Sequence, residues 1–278
     1  MPSLSTLPDE VLKLVLEHVP GRERLTSCCL VNKRLHAAAL AITSLEPSWL
    51  RGKDRAEGLL DWLPHYGQHL TRLDLSSFVW PLDELPCPNL QKLFLEECDV
   101  QLGPADDVPG VIQCCPKLTR LDLWGCNIID APEGAVADSL SSLVHLQHLD
   151  VCPSLDDPYA IGGLSTATLP SLEHLTSLSV NNLSVENLYQ LTAITGLQQL
   201  FLAVDTPVGP LSCPGLVFPA SLTSIYVRSN VEGGLLSLLP AGLQFLQILE
   251  CGVEGPAEGP GSFLSGMSRV QQLTQLWL

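Results

Sequence analysis

Leucine recurs along most of this chain at the first, fourth and sixth places of a six-residue phrase. Allowing Ile or Val for Leu, the phrase LxxLxL occurs nine times, as LTRLDL at 70, LQKLFL at 90, LTRLDL at 118, LQHLDV at 146, LTSLSV at 175, LQQLFL at 197, LTSIYV at 222, LQFLQI at 243 and LTQLWL at 273. The last two apolar residues of each phrase fall on one side of an extended chain and the residue between them on the other, which predicts one short strand per phrase. Such a unit buries one edge and completes its core only by stacking on its neighbours. The pattern predicts an α/β solenoid over residues 70–278, with a parallel sheet of about nine strands lining one concave wall. Between strands, VADSLSSLVHL (136–146) and VENLYQLTAITGL (185–197) have helical spacing. PLDELPCPNL and PVGPLSCPGLVFPASL are broken by proline and are expected to be irregular. The final phrase stops at a strand, so an open sheet edge with apolar surface from Leu273, Leu276 and Leu278 is expected there.

The start of the chain follows a different period. In LPDEVLKLVLEHV (7–19) the residues Val11, Val15, Val19, Leu12 and Leu16 fill a helical arc of about 140°, with Leu14 on another side. Only Lys13, Glu17 and His18 are left to face water. Pro8 in the first turn sacrifices no hydrogen bond, and Asp9 and Glu10 suit the positive helix end. A module of about 45 residues cannot bury all of this surface within itself, which implies a partner. An alternative is that the helical pair folds back as a cap on the strand at Leu70. The stretch 46–69, with Trp49, Leu50, Leu59, Leu60, Trp62 and Leu63, is apolar enough to serve as that cap itself. The chain thus divides into a helical module (1–45), a linker and cap (46–69) and a solenoid (70–278).

Charge supports the division. Residues 1–55 hold 8 of the 14 Lys and Arg against 6 acids, leaving 6 against 24 for the rest, a net of −18. An acidic body repels phosphate backbones, so nucleic acid is not an expected partner. No run approaches the roughly 18 apolar residues of a membrane span, and none is expected. The ten cysteines follow no secretory segment, which points to reduced thiols in the cytoplasm or nucleus. No CxxC, HExxH, GxSxG, phosphate loop or GxGxxG occurs, so neither a metal, a cofactor nor a catalytic constellation is expected. HLQH at 145–148 has a metal-like look, but solvated or hydrogen-bonded histidines account for it. Asp106-Asp107 and Asp156-Asp157 read as turn residues.

Residues 70–278 resemble a leucine-rich-repeat solenoid. CPNLQKLFLEEC (87–98) and CPKLTRLDLWGC (115–126) place a cysteine three residues after the phrase and look like the cysteine-containing subtype. Cys98, Cys126 and Cys251 fall there, with Asn230 in the same place, and an interior ladder of weak donors is expected. Residues 7–40 resemble an F-box: Leu7, Pro8, Glu10, Val11, Leu12, Val15, Leu16 and Val19 match its first part, and Leu25, Cys28, Val31 and Lys33 its second. The sequence departs from the family at Arg24, Asn32 and Leu35. The resemblance implies that Leu7, Pro8, Val11, Leu12, Val15, Leu16, Val19, Leu25, Val31 and Leu35 dock on the Skp-type adaptor of a cullin-RING ubiquitin ligase. The chain would then be the non-catalytic substrate receptor of an SCF-type ligase, presenting a protein target on its repeats. An interaction scaffold without a ligase role is the alternative.

The expected concave face has three outward columns. The first begins Arg72, Lys92, Arg120, His148. The second reads Asp74, Phe94, Asp122, Asp150, Ser179, Phe201, Tyr226, Gln247, Trp277, and the third runs from Ser76 through Glu96 and Trp124 to Leu249. Aromatics on rigid strands act as binding anchors, so Phe94, Trp124 and neighbouring Arg120, with Phe201, Tyr226 and Phe245, are the candidate target residues. The charges beside them also fit a solvated ladder of ion pairs.

Overall fold

The computed structural model describes residues 8–19, 43–45, 53–76, 85–100, 110–128, 140–151, 171–181, 185–203, 215–228, 238–249 and 270–277. The first helix, α1 (Asp9–Glu17), begins after an extended Pro8 and is closed at its C-terminus by His18, whose ring Nδ1 lies 2.8 Å from the Leu14 carbonyl. A two-residue strand β1 (Ser44–Leu45) and a helix α2 (Lys53–Tyr66) follow. The repeats then supply β2 (Arg72–Asp74), β3 (Lys92–Phe94), β5 (Arg120–Asp122), β7 (His148–Val151), β8 (Ser177–Asn181), β9 (Gln199–Ala203), β10 (Ser224–Arg228), β11 (Phe245–Leu249) and β12 (Gln275–Trp277).

One parallel sheet joins them in the order β1-β2-β3-β5-β7-β8-β9-β10-β11-β12, with successive repeats side by side. The expected nine strands are all present, and Ser44 and Leu45 add a tenth by pairing with Arg72 and Leu73. Two apolar-poor residues carry no period, so this strand had no signal in the sequence. A second sheet pairs β4 (Asp99–Val100) with β6 (Asn127–Ile128), just after the cysteine of each unit.

Register is what makes the core. Leu73, Leu93, Leu121, Leu149, Leu178, Leu200, Ile225 and Leu246 are aligned across neighbouring strands, and all are 2% exposed or less. Shifting any strand by one residue would turn this column to solvent, so the stack fixes its own pairing. The apolar residues at the first and sixth places of the phrase, such as Leu70 and Leu75, are also buried in the same continuous cluster. At the N-terminal end that cluster takes in Leu45 of β1 and Leu59 and Leu63 of α2, one turn apart on one helix face. At the other end, Leu273 and Leu276 are only partly buried and Trp277 is 60% exposed, while Leu278 lies outside the described residues.

Two polar ladders run beside the leucines. Cys98 donates from Sγ to the Leu75 carbonyl at 3.2 Å, and Cys126 does the same to Leu95 at 3.1 Å, so each thiol satisfies a backbone oxygen of the preceding unit. This is the expected cysteine ladder; Asn230 and Cys251 lie outside the described residues. A shared hydrogen bond with Cys98, together with burial, pushes the Cys126 thiol well above its ordinary range. The second ladder went unread in the sequence. The second place of the phrase alternates Thr71, Gln91, Thr119, Gln147, Thr176, Gln198, Thr223, Gln244, Thr274. Every one of these threonines donates its hydroxyl to the carbonyl of that place in the preceding unit, at 3.0 to 3.2 Å.

The connections follow the sequence reading where they are described. Residues 185–197 form α3 (Val185–Gln190) and a 3-10 turn (Leu191–Ala193), and the proline-broken stretches at 85–91 and 215–223 carry no regular element. Of the helical spacing at 136–146, residues 140–146 are described: only Leu140 and Ser141 are helical, the rest is turn, and Leu140, Leu143 and Leu146 are buried. No helix among the described residues is long and apolar enough to cross a membrane.

Two glycines are fixed by opposite causes. A Cβ on Gly67 would stand 2.8 Å from both the Cys87 Sγ and the Pro86 carbonyl, where the cap meets the first turn. Gly125 instead has φ +66, and Glu97 takes the equivalent left-handed place in the preceding unit at φ 55. Gly67→Ala should therefore cost about 1–3 kcal/mol by overpacking. Gly125→Ala should cost about 1–2 kcal/mol by backbone strain, and Glu97→Gly should be neutral or stabilising because the strain it removes offsets the extra entropy glycine gives the unfolded chain. Urea midpoints of the three variants check this, and a Glu97→Gly loss larger than that of Gly125→Ala would contradict it. The thiols give an independent check. Burial raises Cys87 to about 12 and pushes Cys115 higher still, whereas Cys114 is half-buried. Brief iodoacetamide treatment of the native protein, mapped by mass spectrometry, should label Cys114 ahead of Cys87, Cys98, Cys115 and Cys126.

Candidate functional site

Among the described residues, two surfaces present groups of apolar side chains to solvent. On α1, Val11 is 40% exposed, Leu14 58% and Val15 41%. Their i, i+3, i+4 spacing makes a stripe about 100° wide along one face. Leu12 and Leu16, at 1% and 4%, are buried on the adjacent face. This corrects the sequence reading, which grouped Leu12 and Leu16 with Val11 and Val15 in one docking arc and set Leu14 aside. The apolar arc is wide enough to serve two faces: part of it is covered by the protein's own fold, and the rest, extended by Leu14, is uncovered. The spacing of Leu14 from Val11 was the available signal. Pro8 is exposed and Val19 half-buried, whereas Leu7, Leu25, Val31 and Leu35 lie outside the described residues.

The second surface is the solvent side of the sheet. Pairing aligns Arg72, Lys92, Arg120 and His148 in one column, and Asp74, Phe94, Asp122 and Asp150 in the next, as the phrase predicted. The guanidinium of Arg72 lies 4.6 Å from the centre of the Phe94 ring and that of Arg120 5.0 Å, from the strands on either side. Each arginine also approaches the acid two residues along its own strand, Asp74 or Asp122, at 3.7 Å. The sequence reading gave Phe94 to binding and the charges to a ladder of ion pairs; the geometry joins them, because the arginines hold the ring and the acids hold the arginines.

Beside this network lies a cavity of about 310 Å³ whose walls include Phe94, Glu96, Asp122, Trp124 and Asp150. Trp124 is 46% exposed and makes no part of the core cluster. Its amide donates to the Asp122 carboxylate at 3.4 Å, while Asp74 accepts from the Ser76 hydroxyl at 2.7 Å. Burial, together with the neighbouring Asp150 and Glu96 charges, raises Asp122 to about 6 against the opposing pull of the Trp124 amide and Arg120. Burial, then Arg120 and Lys92, lower His148. The acid lining was not read from sequence: Asp122 was read into a ladder of ion pairs, and Glu96 and Asp150 only as outward positions of their strands.

Farther along the sheet the aromatics form a group of their own. Phe201 and Tyr226 are paired directly across β9 and β10, with ring centres 6.3 Å apart, and Tyr226 lies 4.7 Å from Phe245. The six sequence candidates therefore fall into two clusters, Phe94 with Arg120 and Trp124, and Phe201 with Tyr226 and Phe245. Leu249, 40% exposed, stands at the end of β11 opposite Arg228. His145 is exposed and His148 stands in the basic column; no group of three potential metal ligands occurs among the described residues. Asp106-Asp107 and Asp156-Asp157 lie outside those residues.

Residues 4–41 match the F-box domain family. A search of curated proteins gives no match to the sequence. Among solved structures, the chain is similar to an internalin, inlF, of Listeria monocytogenes at 18% identity and a TM-score of 0.48, covering 81% of this chain and 62% of that one. It is also similar to internalin C2 of the same organism at 16% identity and a TM-score of 0.49, covering 77% and 82%. A leucine-rich-repeat protein of Leptospira interrogans is 14% identical with a TM-score of 0.36, covering 97% and 86%. The chain's own register carries the fold assignment: a segment that matches the F-box domain is followed by a solenoid of leucine-rich-repeat type.

Proposed function

We propose that this chain is the substrate-receptor subunit of an SCF-type ubiquitin ligase, acting in the cytoplasm or nucleus and carrying no catalytic group of its own. The observation that carries this reading is the uncovered stripe of Val11, Leu14 and Val15 inside the segment that matches the F-box domain. Three large aliphatics on one helix face, with the adjacent face already buried, are a surface shaped for another protein. The Skp-type adaptor is the partner that the F-box implies. The repeats supply the other half of the receptor: an open, rigid sheet whose side chains stand in registered columns, suited to a protein target rather than to an enclosed small substrate. Its contribution to ubiquitin transfer is proximity, since holding a target beside a charged enzyme raises the effective concentration of the target's lysines.

The two faces of α1 give the test its sign. Leu14→Asp and Val15→Asp should abolish binding to a purified Skp-type adaptor with the melting temperature of the chain retained, because a charge in an apolar interface is left unpaired. Leu12→Asp and Leu16→Asp should instead unfold the helical module, because those side chains are buried within the chain. Co-purification together with circular dichroism reads both outcomes. Adaptor binding by the folded Leu14→Asp, Val15→Asp double variant at wild-type affinity would remove the ligase reading.

A further inference from the structure

We infer that the cavity between Phe94 and Trp124 receives a lysine or arginine side chain of an extended target segment, while an apolar side chain about six residues along that segment rests on Phe201, Tyr226 and Phe245. The inference rests on the proposed reading that the open sheet binds a protein target, and it specifies the chemistry of that target.

The cavity has room for a whole side chain. Its volume of about 310 Å³ far exceeds the share of a single water, about 30 Å³. The indole of Trp124, nearly half exposed, offers a π face beside the carboxylates of Glu96, Asp122 and Asp150. An aromatic wall with carboxylates around it is the arrangement that holds an ammonium or guanidinium group, by cation–π attraction and charge-assisted hydrogen bonds.

The charge balance selects a cation over an anion. The neighbouring arginines are committed, each lying against the Phe94 ring and beside the acid of its own strand. Glu96 makes no ion pair among the described residues. The raised Asp122, at about 6, shows that Arg120 and the Trp124 amide fail to offset burial and the charges of Asp150 and Glu96. An arriving cation relieves that excess of negative charge; an arriving phosphate or carboxylate adds to it.

The second anchor has the opposite character. Among the outward residues paired along β8 to β11, Ser177, Ser179, Gln199, Phe201, Ser224, Tyr226, Phe245 and Gln247 carry no formal charge and Arg228, at the end of β10, is the one charged side chain, so this half of the face offers aromatic area without the carboxylates of the first cluster. From β5 to β10 the sheet takes four strand steps. At about 4.8 Å each these amount to about 19 Å, the reach of about six extended residues.

The test uses the full chain and arrays of short extended peptides. Each peptide carries Lys, Arg, uncharged norleucine, Glu or phosphoserine at one place and Phe or Ser at a second place stepped along it. Peptides with Lys or Arg and a Phe about six residues away should bind, and norleucine in place of Lys should weaken binding at least about tenfold, the scale of a lost anchor. Trp124→Ala, and Glu96→Gln with Asp122→Asn, should each weaken the Lys peptide to a similar extent with the melting temperature unchanged, and the carboxylate pair should also lose the preference for Lys over norleucine. Tyr226→Ala should abolish the preference for Phe over Ser.

Acid should weaken the Lys peptide too. Asp122 faces Lys92, Phe94 and Glu96 from one neighbouring strand, Asp150 and His148 from the other, and Arg120 and Trp124 on its own, with Asp74 two strands away. As pH falls through about 6, Asp122 loses the charge that attracts the cation, and protonation of His148 adds repulsion of the same sign. Equal binding of Lys and norleucine peptides, preference for Glu or phosphoserine, indifference to Trp124→Ala, or capture of no peptide would each overturn the inference. Adaptor binding through α1, measured on the same preparations, separates the two readings. Its loss with cation selection intact removes the ligase role alone, and its retention without cation selection removes this inference alone.

Discussion

The structure depends on one constraint: a strand of three to five residues with leucine on one side cannot bury that side by itself. Leu121 is fully buried because Leu93 and Leu149 stand beside it in register, and each of those depends on the next. Backbone hydrogen bonding, the cysteine donors and the threonine donors all run between units, so every unit completes its neighbour. The same requirement explains the cap. Strand β1 and helix α2 contribute Leu45, Leu59 and Leu63 to the core cluster at the end where no preceding phrase exists. The partly buried Leu273 and Leu276 show what the last strand looks like with a neighbour on one side only.

The solvent side inherits its electrostatics from that inward register. Once the leucines are aligned, the residues between them are aligned too, at the spacing of neighbouring strands, about 4.8 Å. The column Asp74, Phe94, Asp122, Asp150 therefore has a ring between its first two acids and nothing between its last two. Asp122 is raised and His148 lowered for one reason beyond burial: each stands beside like charge that the leucine pattern put there. Phe94 fits the same logic, because a ring between two arginines turns a repulsive stack of cations into one held by cation–π contacts.

Most of this was legible because period two is unambiguous once it repeats. LTRLDL and LQKLFL specified which residue faces inward, which faces out and which neighbour it meets, and the pairing of Tyr226 with Phe201 follows from phrase alignment alone. The cysteine donors were legible for the same reason. What escaped was either too short or too relational. Ser44–Leu45 is two residues long, and the acidity of the cavity is a property of Glu96, Asp122 and Asp150 together. The threonine and glutamine alternation was visible in the letters, but the phrase was read for its leucines, and a hydroxyl bonding to the preceding unit leaves no hydrophobic period behind.

The helix α1 marks where periodicity stops being enough. A hydrophobic arc states how much of a helix avoids water, and it does not state which part its own chain covers. In a solenoid strand the question never arises, because the two sides are chemically opposite and only one is apolar. In α1 the covered face, Leu12 and Leu16, and the open face, Val11, Leu14 and Val15, are made of the same residue types. Only packing distinguishes them. The helix therefore carries two apolar interfaces on one short element, one satisfied within the fold and one left for a partner, and that duplication is why so much grease was needed in so few residues.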